Sequence, residues 1–229
     1  MKKGFFIVID GTDGSGKATQ TKLLAEKLKK SGRKVKTIDF PQYENNFFGK
    51  MVGRYLSGEF GTSSEVSPYL VSILYAGDRF EEKETIEKWL NEGFVVIADR
   101  YASSNQIHQG GKISDPAKRK EFLAWLEGLE YKVFKIPRPD TIIYLDMPIA
   151  VSQKLLKNKD SQKKKTYLKG KKDIYENDLK HLSDAKNSAI ELVKKNNNWA
   201  RIPCAKNDKP LAIEEINKNI MEKITPLLN

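Results

Sequence analysis

The sequence predicts an α/β fold, a three-layer sandwich with helices on both faces of a mostly parallel five-stranded sheet. Three observations carry this. Short apolar runs recur at 5–9, 35–40, 94–98, 141–145 and, more briefly, 200–203. Longer stretches of helical periodicity separate them. A glycine-rich turn joins the first run directly to the first helical stretch. Buried strands alternating with helices need a covered parallel sheet, because a parallel connection needs a crossover and the crossover helices shield the faces.

Each element has a local reason. Residues 5–9 form a buried strand entering the glycine turn, and 19–30 follow as an amphipathic helix. The run 35–40 ends in Phe40-Pro41, where proline removes a ladder donor. Ser67 is a good N-cap with Pro68 at the first helical position, and the pattern runs on to about 91. Strand 94–98 follows. Pro116 opens a helix to about 127, and Pro148 starts one near Leu155. Residues 178–196 form a long helix, and 213–227 close the chain. In such sheets, ligands bind at the carboxyl ends of the strands.

Composition narrows the class. The chain has 229 residues and 39% hydrophobic content, expected as a single domain over 1–229. No run is long enough to span a membrane, and the apolar run after Lys2-Lys3 is short and contains Asp10. It reads as a buried strand and not as a signal peptide. One cysteine, Cys204, precludes an internal disulfide and suits a reducing cytoplasm. The net charge is +11, but residues 154–172 hold nine lysines against one acid, Asp160. Charge gathered in one segment marks a local anion site or a solvated loop, expected as a lid over 154–173, and not a basic face for nucleic acid. That segment also lacks interleaved aromatics apart from Tyr167, as a base-stacking groove would need.

The glycine turn carries the first chemistry. Gly11, Gly16 and Lys17 match the phosphate-loop pattern G-x-x-x-x-G-K. Glycines let backbone N–H groups curl round an oxyanion, and the helix that follows aims its N-terminal dipole at the same place. This makes the expected fold a P-loop NTPase sandwich. The position after Lys17 usually carries a hydroxyl for Mg²⁺, and here it is Ala18. Asp99-Arg100-Tyr101 follow strand 94–98 and would stand beside the loop. A carboxylate there suits a metal, and an arginine there forks onto phosphate. Tyr75 and Arg79 are four apart on one helix, so they share a face that can stack on a base and bind beside it.

Taken together these motifs resemble the thymidylate (dTMP) kinases over nearly the whole chain. Gly11-Thr12-Asp13-Gly14-Ser15-Gly16-Lys17 is similar to that family's loop, and Phe40-Pro41 to its Phe-Pro motif. Asp99-Arg100-Tyr101, with Ser104-Asn105 and Gln109-Gly110 after it, resembles the Asp-Arg-Tyr region. Pro137-Arg138-Pro139-Asp140 resembles the start of the fourth strand, and Asp173-Ile174-Tyr175-Glu176 the end of the lid. Four features depart from the family pattern: Ala18, Gln42-Tyr43 where an arginine is common, His108 where tyrosine is common, and lysines in the lid where most members use arginines.

The resemblance implies phosphoryl transfer from ATP to dTMP, with Mg²⁺ as cofactor, by a homodimer. It implies catalytic roles for Lys17, Arg100 and Asp99. Gly11, Thr12, Asp13, Gly14, Ser15, Gly16, Lys17, Ala18 and Thr19 would bind ATP. Asp13, Phe40, Pro41, Tyr75, Arg79, Arg100, Ser104, Asn105, His108, Gln109 and Tyr175 would bind the acceptor. The acids nearest the expected metal are Asp99, Asp10 and Glu176. The alternatives are a deoxynucleoside kinase or a kinase for another monophosphate and, outside enzymes, a nucleotide-regulated nucleic-acid-binding protein.

Overall fold

The computed structural model describes residues 4–159, 168, 173–175 and 178–228. Five strands form one parallel sheet: β1 (Phe5–Gly11), β2 (Val35–Asp39), β3 (Val95–Asp99), β4 (Thr141–Asp146) and β5 (Trp199–Pro203). Their order is β2-β3-β1-β4-β5, so β1 is central and the chain reverses direction across the sheet beside it. Register places Ile9 against Asp99 and Asp10 against Tyr144. The ends of β1 and β3 therefore deliver their chemistry side by side.

The period of two along a strand splits the core into two layers. Phe6 and Val8 face one side, with Val96, Ala98, Ile142 and Tyr144. Ile86 and Leu90 of α4 (Lys83–Asn91) and Ala185, Ala189 and Leu192 of α8 (Leu179–Lys195) cover it. Ile7 and Ile9 face the other side, with Val95, Ile97, Ile143 and Leu145. Leu24 and Leu28 of α1 (Lys17–Lys30) and Ile216, Ile220 and Ile224 of α9 (Ile213–Ile224) seal that layer. A third cluster joins α2 (Phe47–Leu56) and α3 (Pro68–Glu81) through Val52, Tyr55, Leu56 and Val71.

Four local features differ from the sequence expectation. The helix expected over 67–91 is two helices, broken at Glu82. The carboxylate of Glu81 turns aside to accept the N–H groups of Phe47 and Phe48 at 3.3 and 2.9 Å, capping α2, while Ile86 and Leu90 bend inward to the sheet. α2 itself was not expected, because Gly49 and Gly53 weaken its helical signal; Asn46 caps it by accepting from the Gly49 N–H at 2.6 Å. After β3 the chain makes α5 (Ala102–Ser104) and then a wide π-type turn over Asn105–Gln109. A small hairpin, β6 (Ala205–Lys206) with β7 (Lys209–Pro210), closes through Asn207 and Asp208 at positive φ. Of the lysine-rich stretch, residues 160–167 and 169–172 lie outside the described residues. Leu168, within the expected lid, is buried against the α2–α3 cluster. Helices α6 (Pro116–Gly128) and α7 (Ile149–Lys159) complete the coverage.

Candidate active site

The site is built from the turn after β1 outward. Gly14 has φ +79°, and a Cβ there would meet the Ser152 carbonyl at 2.5 Å. Gly16 has φ +92° at the N-terminus of α1 and faces open space, so a concavity is left in front of the helix. The first N–H groups of a helix have no intrahelical acceptor and carry the positive end of its dipole. Both side-chain hydroxyls that flank the turn, Thr12 Oγ1 and Ser15 Oγ, are buried without a partner among the described residues. The geometry is a cradle for an anion.

Lys17 Nζ reaches back across this cradle, donating to the Gly11 and Thr12 carbonyls at 3.1 Å each, and lies 3.6 Å from Asp13. Burial and the nearby Arg100 charge lower its pKa, and the surrounding carboxylates oppose them. Arg100 follows β3 with φ +68° and is anchored by its own N–H to the Ile9 carbonyl at 2.9 Å. Its guanidinium pairs with Asp13 and lies 3.7 Å from Asp10. Asp10 is fully buried, and its oxygens are already taken: Oδ1 by the Gly11 N–H at 2.8 Å, Oδ2 by the hydroxyls of Ser103 and Ser104 at 2.6 and 2.9 Å. Asp99 differs. Its Oδ1 is buried with no hydrogen-bond partner among the described residues, and burial raises its pKa against the pull of Lys17 and Arg100.

From the cradle a cavity of about 400 Å³ runs between α3, the wide turn and α8. Phe40, Pro41, Tyr75, Arg79, Ser104, Asn105, His108, Gln109 and Tyr175 line it together with Asp13, Lys17, Asp99 and Arg100. The structure thus gathers residues that lie far apart in sequence. Gly11, Thr12, Ser15, Gly16, Ala18 and Thr19 belong to the turn and first helical turn, with Ala18 exposed. Asp10 sits behind the cradle, and Glu176 lies outside the described residues.

His108 Nε2 is 3.1 Å from Arg100 Nη1. A guanidinium only donates, so Nε2 accepts and the ring proton is on Nδ1. Burial, Arg100 and His181 hold the His108 pKa well below the usual imidazole value. His181 stacks on His108 at 5.4 Å and on Tyr175 at 4.2 Å, and burial lowers its own pKa to about 4. Lys112 donates to the Tyr175 hydroxyl at 2.7 Å and to the Ser63 carbonyl at 3.0 Å; burial brings its pKa down to about 8. On the other wall, Asp78 accepts from the Gln42 N–H at 3.1 Å and from Asn46 Nδ2 at 3.0 Å, pinning the turn after Phe40-Pro41.

Sequence reasoning passed over Asp78, Glu130 and His181. Asp78 and Glu130 are single acids in helical stretches, and His181 is a lone histidine near a helix start; no motif marks them. Only the fold shows that Glu130 is buried against Arg79 and that His181 completes a ring stack.

What stands beside the anion cradle decides the class. A nucleotide switch needs only the cradle, whereas here an enclosed cavity with an aromatic wall and a buried arginine opens from it. That is the layout of a P-loop phosphotransferase, with space for an acceptor next to the donor phosphates. The thymidylate kinase family model matches residues 9–216. The chain is 30% identical to the thymidylate kinase of Plasmodium falciparum over 228 residues, 99% of this chain and 92% of the relative. It is 31% identical to that of Prochlorococcus marinus over 235 residues, 99% and 98% of the two chains. Its fold is similar to the structure of the thymidylate kinase from Candida albicans, with a TM-score of 0.72 at 23% identity over 98% of this chain and 92% of that one. The chain belongs to the thymidylate kinase family.

Proposed function

We propose that the chain catalyses ATP + dTMP → ADP + dTDP with the cradle as donor site and the adjoining cavity as acceptor site. One observation carries this reading: a single cavity is lined both by Lys17 and Arg100 of the cradle and by Tyr75 and Arg79 of α3. Two phosphates and a base then fit one continuous path. Lys17 and the amides of the 11–19 turn take the donor phosphates. Arg100, beside Lys17, offsets charge on the transferring phosphoryl. Asp13 and His108 flank the sugar, while Tyr75 stacks on the base and Arg79, Asn105 and Gln109 face its edge. Tyr175, held by Lys112, closes one wall and Phe40 and Pro41 the opposite one, while Ser104 stands beside Asp10 near the cradle. The acceptor phosphate is already a good nucleophile, so positioning and charge neutralisation suffice and no general base is needed.

The residues fit a magnesium ion. Asp99 offers a buried oxygen with no partner among the described residues, whereas both oxygens of Asp10 are engaged. Mg²⁺ needs only one or two carboxylates besides phosphate oxygens and water. Held there, it would supply charge neutralisation to the donor phosphates. Asp99 would hold it, directly or through water. Asp99→Asn is expected to weaken apparent Mg²⁺ affinity and activity together, and Thr19→Ala to change the Mg²⁺ dependence little; titrating activity against Mg²⁺ at fixed ATP separates the two. The opposite pattern would make Thr19 the metal partner in place of Asp99.

The exposed Phe47, Leu70 and Phe80 on α2 and α3 support a homodimer through that face, and a monomer in sedimentation velocity removes this part. Among the described residues no helix is long and apolar enough to cross a membrane; the single buried thiol, Cys204, suits the cytoplasm. The test of the whole reading is ADP release with dTMP, dUMP, dCMP, dGMP and thymidine in parallel. dTMP should be the fastest acceptor. Phosphorylation of thymidine without dTMP would overturn the monophosphate-kinase reading.

A further inference from the structure

Glu130 sits in a second wide turn, Leu129–Val133, and is buried at 2% exposure. A carboxylate so deep must be paired. It receives two protons from one edge of Arg79, Nε at 3.1 Å to Oε2 and Nη2 to Oε1. It also receives Asn105 Nδ2, at 3.1 Å to Oε1. The second proton of Asn105 Nδ2 goes to the Ser72 carbonyl at 3.1 Å. Both partners of that amide can only accept, so chemistry alone fixes which way Asn105 points. Its Nδ2 is spent in the wall, and its Oδ1 has no donor among the described residues. Arg79 is fixed in the same manner. Its Nε–Nη2 edge faces Glu130, and Nη1 has no acceptor among the described residues. Both residues line the cavity.

Resting on the acceptor site described above, we propose that Glu130 sets the polarity of the base-reading edge: it turns Arg79 Nη1 into a fixed donor and Asn105 Oδ1 into a fixed acceptor. A pyrimidine with a 4-oxo group and an N3–H matches that pair, acceptor to donor and donor to acceptor. A 4-amino pyrimidine, with an exocyclic NH₂ and an unprotonated N3, presents the reverse pattern and leaves both unpaired. Glu130 does not line the cavity, so it is a positioning residue for base choice, and it acts on thymine and uracil alike.

Glu130→Gln tests this. The replacement has nearly the same shape but one acceptor becomes a donor, so either Arg79 or Asn105 loses its fixed orientation. The ratio of kcat/KM for dTMP to that for dCMP should fall about ten- to a hundred-fold, the size expected when a buried reading hydrogen bond is lost. The ratio of dTMP to dUMP should stay within about two-fold, as should KM for ATP. A residue with a purely structural role would lower all acceptors together and leave the dTMP/dCMP ratio where it was; that outcome in a folded variant overturns the proposal. Should Glu130→Gln fail to fold, Asn105→Ala is measured in its place. It removes the acceptor and leaves the Arg79–Glu130 pair, and an unchanged dTMP/dCMP ratio there likewise overturns the proposal. Wild-type enzyme that ignores dTMP would instead overturn the acceptor reading itself, so the two failures are distinct.

Discussion

Lys17→Ala is expected to lower kcat about a hundred- to a thousand-fold, roughly 3–4 kcal/mol of transition-state stabilisation, while leaving the fold intact. Charge balance at the cradle is the reason. Asp10, Asp13 and Asp99 gather around Lys17 and Arg100, with no other cation within ion-pair distance of them among the described residues. Removing one cation leaves the site with excess negative charge, facing a polyanionic donor. KM for ATP should rise along with the fall in kcat. Arg100→Ala should cause a kcat loss of the same order, because it removes charge at the transferring phosphoryl and also releases Asp13 and His108. Steady-state rates of ADP release, with circular dichroism melts for the fold, check both. A Lys17→Ala enzyme with near-normal kcat would place the donor phosphates elsewhere.

Arg79→Ala should have two large effects of different origin. KM for dTMP should rise about ten- to a hundred-fold while KM for ATP stays nearly constant, because only the acceptor end loses a donor. Stability should fall by about 3–5 kcal/mol, because Glu130 is left as a buried charge without its partner. A double-mutant cycle separates the two. Replacing both members, Arg79→Leu with Glu130→Leu, removes the pair and the stranded charge together, so much of the lost stability should return. The weakened dTMP binding should not return with it. Urea melts and steady-state kinetics on Arg79→Ala, Arg79→Leu, Glu130→Leu and the double variant read both quantities; equal rises in KM for dTMP and ATP would place Arg79 outside the acceptor site.

Much of the sheet was legible because burial on two faces leaves a plain signal. Phe5-Phe6-Ile7-Val8-Ile9 and Thr141-Ile142-Ile143-Tyr144-Leu145 read as strands without any tertiary information. The cradle was legible because its geometry needs glycine at fixed spacing. The break at Glu82 was not, since no glycine or proline marks it; it arises where Glu81 caps one helix and Ile86 is drawn to the sheet. α2 was hidden by Gly49 and Gly53. The site residues that sequence named belong to short motifs or, for Tyr75 and Arg79, to one helix face. Glu130 and His181 act from other elements, 51 residues from Arg79 in one case, and only the packing brings them into place.

The hydrogen bonds of the turn Asn105–Gln109 span one residue more than those of an α-helix. That surplus lets Asn105 face Glu130 while His108 meets Arg100 and Gln109 still lines the cavity. Here the pocket depends on residue count as well as residue identity. A chain with one residue fewer would wind as an ordinary helix, keeping the flanking segments nearly in phase but losing the wide turn that now aims Asn105, His108 and Gln109 at three different partners. Such a stretch tolerates exchange of its letters more readily than loss of one, and its length is part of what the enzyme recognises with.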